Sequence, residues 1–294
     1  MVPEATFTSY YGRPVLKAPS WHPADIAGYL FLGGLAGGSS IVAAGADLTG
    51  RPGLARTTRV GALGAVTLSG LALVHDLGRP SRFVNMLRVI KLTSPMSVGS
   101  WILTAYVPLA AGAAGSDVLG RWPRTGRLLG LGAAVLAPAL VSYTAVLICD
   151  TAVPAWHEAY PDMPFVFVGS SAASAAGLGL LTAPAQAEPC RRLAMFGGLL
   201  EIGASRRIVH RTSFVAEAYR LGRARTLLRA AEGLTGFGIV GGLLGRRRHW
   251  LSRLAGLALL AGGACERFGL FEAGMISATD PKYVVVPQRR ADLH

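Results

Sequence analysis

His75 and Asp76 stand side by side where a long apolar run gives way to the charged connector HDLGRPSRFVNMLRVIKLTSPMSVGSW, residues 75–101. Turn signals at Gly78 and Pro80 follow, then a basic amphipathic piece carrying Arg82, Arg88 and Lys91, with Phe83, Met86, Leu87 and Ile90 at helical spacing. A connector of that pattern is built to lie on a membrane surface and hold polar groups against the ends of the flanking helices. In another apolar run Tyr143 sits between Ser142 and Thr144, and Asp150 closes that run. At ~1.5 Å per residue, Tyr143 lies roughly 10 Å beneath Asp150. A tyrosine hydroxyl in an apolar helix can donate to a carbonyl, and His75 or Asp76 can relay a proton at the membrane edge. A donor to a carbonyl, a proton route and an apolar slot are what the reduction or oxidation of a quinone headgroup requires. The plainer reading is that His75 and Tyr143 are amphipathic anchors and that Asp76 with Arg79 forms a capping salt bridge. The constellation on one side argues for more than any member does alone.

The elements that must hold these residues are membrane helices. With 294 residues, 51% apolar side chains, 15% charged residues and a mean hydropathy of +0.43, the chain is too apolar for a soluble enzyme and repeatedly reaches bilayer-spanning length. It is read as an all-α, polytopic integral protein of the cell membrane. The net charge of +13 comes from arginines placed in connectors, where they meet lipid headgroups rather than nucleic acid. The first apolar run is followed by others without a cleavage signal, so it is expected to be a permanent span.

Eight helices are expected, at about 26–46, 60–75, 96–115, 128–149, 163–183, 193–205, 226–244 and 250–271, forming two four-helix bundles within one transmembrane domain, residues 25–272. Residues 1–24 form a polar, aromatic lead-in, and residues 273–294 a polar tail. The helix around 193–205 is short on apolar residues because Arg191, Arg192 and Glu201 interrupt it, and snorkelling arginines extend it. The GGLAGG run (33–38) places glycines one turn apart for close helix packing.

Eight spans put both termini and the connectors after helices 2, 4 and 6 on one face, here the N side. His22, His75, Asp76, Arg79, Asp150, His157, His210 and Glu266 are then expected near that face. Arginines recur in every short loop of the opposite face, Arg51 to Arg59, Arg121 to Arg127, Arg191 and Arg192, and Arg246 to Arg248, which favours a cytoplasmic placement for it, although the basic 206–225 connector opposes this. Glu201, Glu232 and Glu266 offer a proton path, but ion pairs with Arg229 or Arg267 that pack the helices are the preferred reading.

Cys149, Cys190 and Cys265 are far apart with no C-x-x-C pair, so neither an iron–sulfur cluster nor a disulfide framework is expected. His75 is the one histidine close to a span interior, so no pair of haem ligands is expected either, and no metal site is assigned.

The lead-in FTSYYGRPVLKAP, the run YLFLGGLAGGSS, the connector HDLGRP-x-RF-x-NMLRV-x-K-x-TSPMSVGSW and the block SYTAVLICDTAVPAW resemble the NrfD/PsrC family of membrane subunits of polysulfide-reductase-type complexes. The resemblance covers the first five helices and is most specific in the connector. It implies an eight-helix, haem-free subunit that binds an exchangeable menaquinone or ubiquinone. It also implies docking to a ferredoxin-like iron–sulfur subunit that leads to a molybdopterin catalytic subunit. Matched by motif, Tyr143, Asp76 and, more loosely, His22 fall at the quinone headgroup. The expected roles are hydrogen bonding by Tyr143 and His22, with Arg79 beside them, and proton handling by His75 and Asp76. Tyr10, Tyr11, Arg13 and the 79–91 connector are expected to dock the iron–sulfur partner, and this chain is not expected to be catalytic alone. The competing readings are a solute transporter, which would place broken helices and substrate groups at the midplane, and a plain membrane anchor.

Overall fold

The computed structural model describes residues 15–79, 81–211 and 213–291, so the expected docking residues Tyr10, Tyr11 and Arg13, the turn residue Pro80 and the end of the tail lie outside the described residues. Among the described residues every regular element is helical. The long helices are α1 (Pro23–Leu48), α2 (Pro52–Asp76), α4 (Pro95–Leu119), α5 (Pro123–Cys149), α7 (Met163–Thr182), α8 (Glu188–His210), α9 (Gly222–Leu244) and α10 (His249–Thr279). Short helices α3 (Ser81–Met86), α6 (Pro154–Glu158) and α11 (Lys282–Ala291) lie between or after them. Pro23, Pro52, Pro95, Pro123, Pro154, Pro164 and Pro189 each occupy a first helical turn. There the missing N–H has no helical partner to lose and the fixed φ suits the helix.

Seven of the long helices are long and apolar enough to cross a bilayer, α8 being the exception. Yet α8 packs along α7, and its ends reach both faces of the bundle. Glu188 at one end lies 3.8 Å from Arg246, and just past the other end Arg211 donates to the carbonyl of Glu158 at 2.9 Å. Its polar residues are therefore borne by a helix of full crossing length, 188–210 rather than 193–205.

The helices sort into two four-helix bundles. In one, α1 packs on α2 and α5, and α4 on α2 and α5; in the other, α7 and α9 each pack on both α8 and α10. Contacts of α1 with α7 and α10, and of α5 with α7, join them. The GGLAGG run makes that junction: a Cβ on Gly38 would lie 2.7 Å from the carbonyl oxygen of Ser171 and 2.9 Å from Cβ of Ala175 on α7. Backbones this close gain dispersion contact, the main attraction between helices in lipid.

Two boundaries differ instructively from the sequence expectation. Helix α2 starts at Pro52, not near Val60, because Arg59 is not a loop charge. It is buried, and its guanidinium pairs with Asp47 of α1 and, at 2.8 Å, with Asp117 of α4. Paired inside the bundle, it is tolerated well within a span. Helix α10 continues past Phe271 to Thr279, because Gly274 and Ser277 are small enough to stay packed; α11 then takes up much of the expected tail. Glu266 therefore lies about 20 Å below the end of α10 at ~1.5 Å per residue, not at the interface.

Remote side chains tie the ends together. On the far face Gln186 Oε1 accepts the backbone N–H of Leu54, 2.9 Å away, satisfying one of the unpaired donors of the first turn of α2. Gln186→Ala should cost about 1 kcal/mol, as the loss of one hydrogen bond at a helix start does, read as a lowered unfolding midpoint in detergent. On the N side the fully buried Trp156 of α6 donates from Nε1 to the carbonyl of Leu270 at 2.8 Å, and Tyr219 donates to the carbonyl of Ala155 at 2.8 Å. Burial holds the Tyr219 hydroxyl well above its ordinary range, so it stays a donor. The connector after α2 is helical only over Ser81–Met86, a shorter stretch than its apolar spacing implied, and Val84, Val89, Ile90 and Leu92 are exposed, as on a segment sunk into lipid headgroups.

Candidate functional site

The first bundle carries a site at its N-side end, assembled by α1, α2, α4 and α5. Tyr143 of α5 is buried, and its hydroxyl is hydrogen-bonded to that of Tyr29 of α1, also buried. The Tyr143 ring fits because α4 has no side chain at Gly99, where a Cβ would fall 2.6 Å from Cδ2 of the ring and nearer still to Cε2. Ser69 Oγ of α2 donates to the backbone carbonyl of Tyr29 at 3.1 Å, holding α1 and α2 in register.

Against this pair lies a pocket of about 80 Å³ whose walls include Tyr29, Tyr143, Asp76, Trp21, Met86 and Gly99. Tyr143 also forms a wall of a second, open space of about 650 Å³ bordered by Pro95, Val98, Ile102, Ser142 and Val146, and by Asp150 and Tyr160 at its end. One aromatic ring thus separates a small polar-ended pocket from a larger, mainly apolar groove between α4 and α5. Ligand pockets for drug-sized molecules usually measure roughly 300–1,000 Å³. The pocket alone is too small for a ring with its tail, whereas pocket and groove together have the volume.

Above the pocket the Asp25 carboxylate lies between the imidazoles of His22 and His75, and Asp76 joins them through the backbone of His22. The Asp25 carboxylate lies 2.7 Å from Nδ1 of His75 and 3.6 Å from Nδ1 of His22. Asp76 accepts the backbone N–H of His22 at 2.9 Å and reaches the pocket wall below. The imidazoles of His22 and His75 are 67% and 77% exposed, against 16% for Asp25, so the cluster runs from water inward. Such a chain of one carboxylate between two imidazoles, with a second carboxylate beneath, can pass protons between the surface and the pocket.

Of the residues singled out in the sequence, Tyr143 and Asp76 line the small pocket, while His22 and His75 sit over it and Arg79 lies exposed on the turn beyond Gly78, outside the pocket wall. His157 is elsewhere, its Nδ1 3.1 Å from the carbonyl of Cys149, and His210 faces a different cavity in the second bundle. Asp25 and Tyr29 were missed. Their i, i+4 spacing put an acid and a tyrosine on one face of α1 and was legible as a signal. Among the described residues no three of His, Cys, Asp and Glu converge as metal ligands do.

No curated protein matches the chain. The family described as Polysulphide reductase, NrfD matches residues 16–189, from the lead-in through α7 and so across every element of this site. With more than half its length matched, and with its helices built to cross a membrane many times, the chain belongs to the polysulphide reductase NrfD family as a multi-pass membrane protein.

Proposed function

We propose that this chain is the anchoring and quinone/quinol-binding membrane subunit of a molybdopterin iron–sulfur oxidoreductase complex, passing electrons between the quinone pool and an iron–sulfur partner. The observation that carries the reading is the buried Tyr29–Tyr143 hydroxyl pair, set beside an apolar groove and under a carboxylate–imidazole chain. The residues fit a quinone: two phenol donors stand where carbonyl acceptors would enter, and the groove between α4 and α5 offers an apolar course for a tail. A bound quinone, menaquinone or ubiquinone, supplies two-electron, two-proton redox chemistry.

The chain's own part is to bind, orient and move protons. Tyr143 exchanges its bond with Tyr29 for one to a carbonyl and orients the ring. Asp76, at the pocket wall, exchanges the proton, and the Asp25–His75 pair connects it to water. His22 holds Asp76 through its backbone N–H while its ring faces Asp25, so its work lies in the proton chain. Arg79 and the connector up to Lys91 offer a basic, exposed face on which an iron–sulfur subunit can dock at the same end as the quinone.

The test is to purify the chain with whatever binds it, analyse the metals and spectra, and assay oxidation of a quinol analogue. Iron–sulfur and molybdenum subunits should co-purify. Asp76→Asn, which keeps an acceptor for the His22 N–H but cannot take up a proton in the same way, should lower turnover by about a hundredfold. A chain that purifies alone, binds no quinone and accumulates a solute in vesicles would instead be a transporter.

A further inference from the structure

The second bundle holds a cavity that the quinone reading does not use. About 710 Å³ in volume, it lies between α8, α9 and α10 and reaches from the bundle interior to the exposed His210 and Arg220 at the N-side end. Its inner wall carries Glu201 of α8 and Glu266 of α10, each 2% exposed, and each with one carboxylate oxygen, Oε1, that has no hydrogen-bond partner. Glu201 lies about 14 Å below the end of α8 at ~1.5 Å per residue, deep within a crossing.

The ion pairs expected from the sequence do not form here. Glu232 pairs with Arg206 across α8 and α9, not with Arg229. Among the described residues no salt bridge joins Glu201 or Glu266 to Arg267. Arg267 is buried with its guanidinium 3.6 Å from the centroid of the Phe167 ring, and its Nη2 donates to the carbonyl of Phe167 at 2.9 Å. Glu201 Oε2 meets the Thr235 hydroxyl at 3.5 Å, and the neutral Ser170 hydroxyl also bonds its carboxyl, so no cation touches it.

Among the described residues the charged neighbours can be placed. From α7 the groups facing this region are neutral, Ser170 and Ser171. From α8 come Glu201, Arg206 and His210; from α9, Arg225, Arg229 and Glu232; from α10, Glu266 and Arg267; and from the 214–220 turn, Tyr219 and Arg220. Arg206 and Glu232 cancel each other, and Arg220 is held at its own end by the carbonyl of Val209 at 2.8 Å. The core of the cluster is then two acids and one fixed cation, which is neutral when it carries one proton. A medium of low dielectric favours that neutral state, because each uncompensated charge there is costly.

Beneath Glu201 the way is closed. Thr235 is fully buried, and it fits only because its neighbours are glycines: a Cβ on Gly262 would lie 2.7 Å from its Oγ1, and one on Gly198 2.9 Å from its Cγ2. The cavity thus extends toward exposed residues at the N-side end and is packed shut beneath Glu201.

We infer that Glu201 and Glu266 form a proton-exchange site that takes up a single proton from the N side through this cavity. The ligand is a proton delivered by water, and the uptake converts one carboxylate to a carboxylic acid with no other bond made or broken. Glu201, Glu232 and Glu266 lie beyond residue 189, outside the stretch that matches the family.

Dicyclohexylcarbodiimide, which adds across a protonated carboxyl in apolar surroundings, tests the site on the purified chain in lipid nanodiscs. The carboxyl adds to the reagent and rearranges to an N-acylurea without a leaving group, so mass spectrometry reads a gain of one reagent mass. One adduct per chain is expected, on Glu201 or Glu266, fading as the pH is made alkaline. No adduct on either, two adducts on one chain, or labelling indifferent to pH would overturn the proposal. Access is read separately with Ile202→Cys in membrane vesicles of either sidedness, using a charged, water-soluble thiol reagent and the wild-type cysteines as background. Modification only from the face that carries His210 agrees with the inlet, and modification from the opposite face, or from neither, contradicts it.

Discussion

Replacing Tyr143 with phenylalanine should lower quinol turnover of the assembled complex by about a hundredfold, the scale on which a single donor to a reacting carbonyl contributes. The substitution is mild in every other respect. The ring still fills the space left by Gly99, so the packing of α4 on α5 survives, and Tyr29 keeps its place through the bond between Ser69 and its carbonyl. What is lost is the hydroxyl that meets Tyr29 and, on the proposed reading, the headgroup. The split between kinetic constants is informative: a donor used mainly as the ring is reduced or oxidised lowers kcat, whereas one that only holds the ground state raises KM. Tyr29→Phe should act in the same direction, and the double variant should lose less than the sum because the hydroxyls share one task.

The largest effect on the fold should come from Trp156→Ala, about 3–5 kcal/mol, as for other large buried aromatic residues cut to alanine. Trp156 is fully buried, stacks on Trp21 with ring centroids 5.9 Å apart, meets Phe271 at 5.5 Å and donates to the carbonyl of Leu270. It therefore fastens the α5–α7 connector to α10 and to the approach to α1. Trp21 is also a wall of the small pocket, so the loss should reach the site. Thermal unfolding in detergent should show the lowered midpoint, and Trp156→Phe should restore part of it by refilling the volume without the N–H. An unchanged midpoint in Trp156→Ala would mean that the N-side connectors contribute nothing to holding the bundles together.

How far the sequence led is clear from particular residues. Composition and apolar run length were enough for an all-helical, many-span membrane chain, because apolar length is a local property. Tyr143 and Asp76 stood out for the same reason, being polar groups at or in apolar runs. The contacts that make them a site are not local. Tyr29 meets Tyr143, 114 positions away, and Asp25 meets His75, 50 positions away, only after α1 has packed against α2 and α5. Arg59 misled the reading of α2 because a charge looks like a loop until its partners on α1 and α4 are known. Glu266 misled it likewise, since nothing in the stretch EAGMISAT after Phe271 marks where α10 stops.

The central claim is that a quinone ring enters between α4 and α5 and stops at the two tyrosines. Photolabelling the purified complex with an azidoquinone, then mapping the modified peptides, addresses it most directly. Label competed away by excess quinone should fall on residues lining the groove and pocket, in Pro95–Leu103 and Ala139–Ile148, and should drop in Gly99→Leu, which fills the place of the Tyr143 ring. Competed label confined to the second bundle, or none anywhere on this chain, would contradict the account.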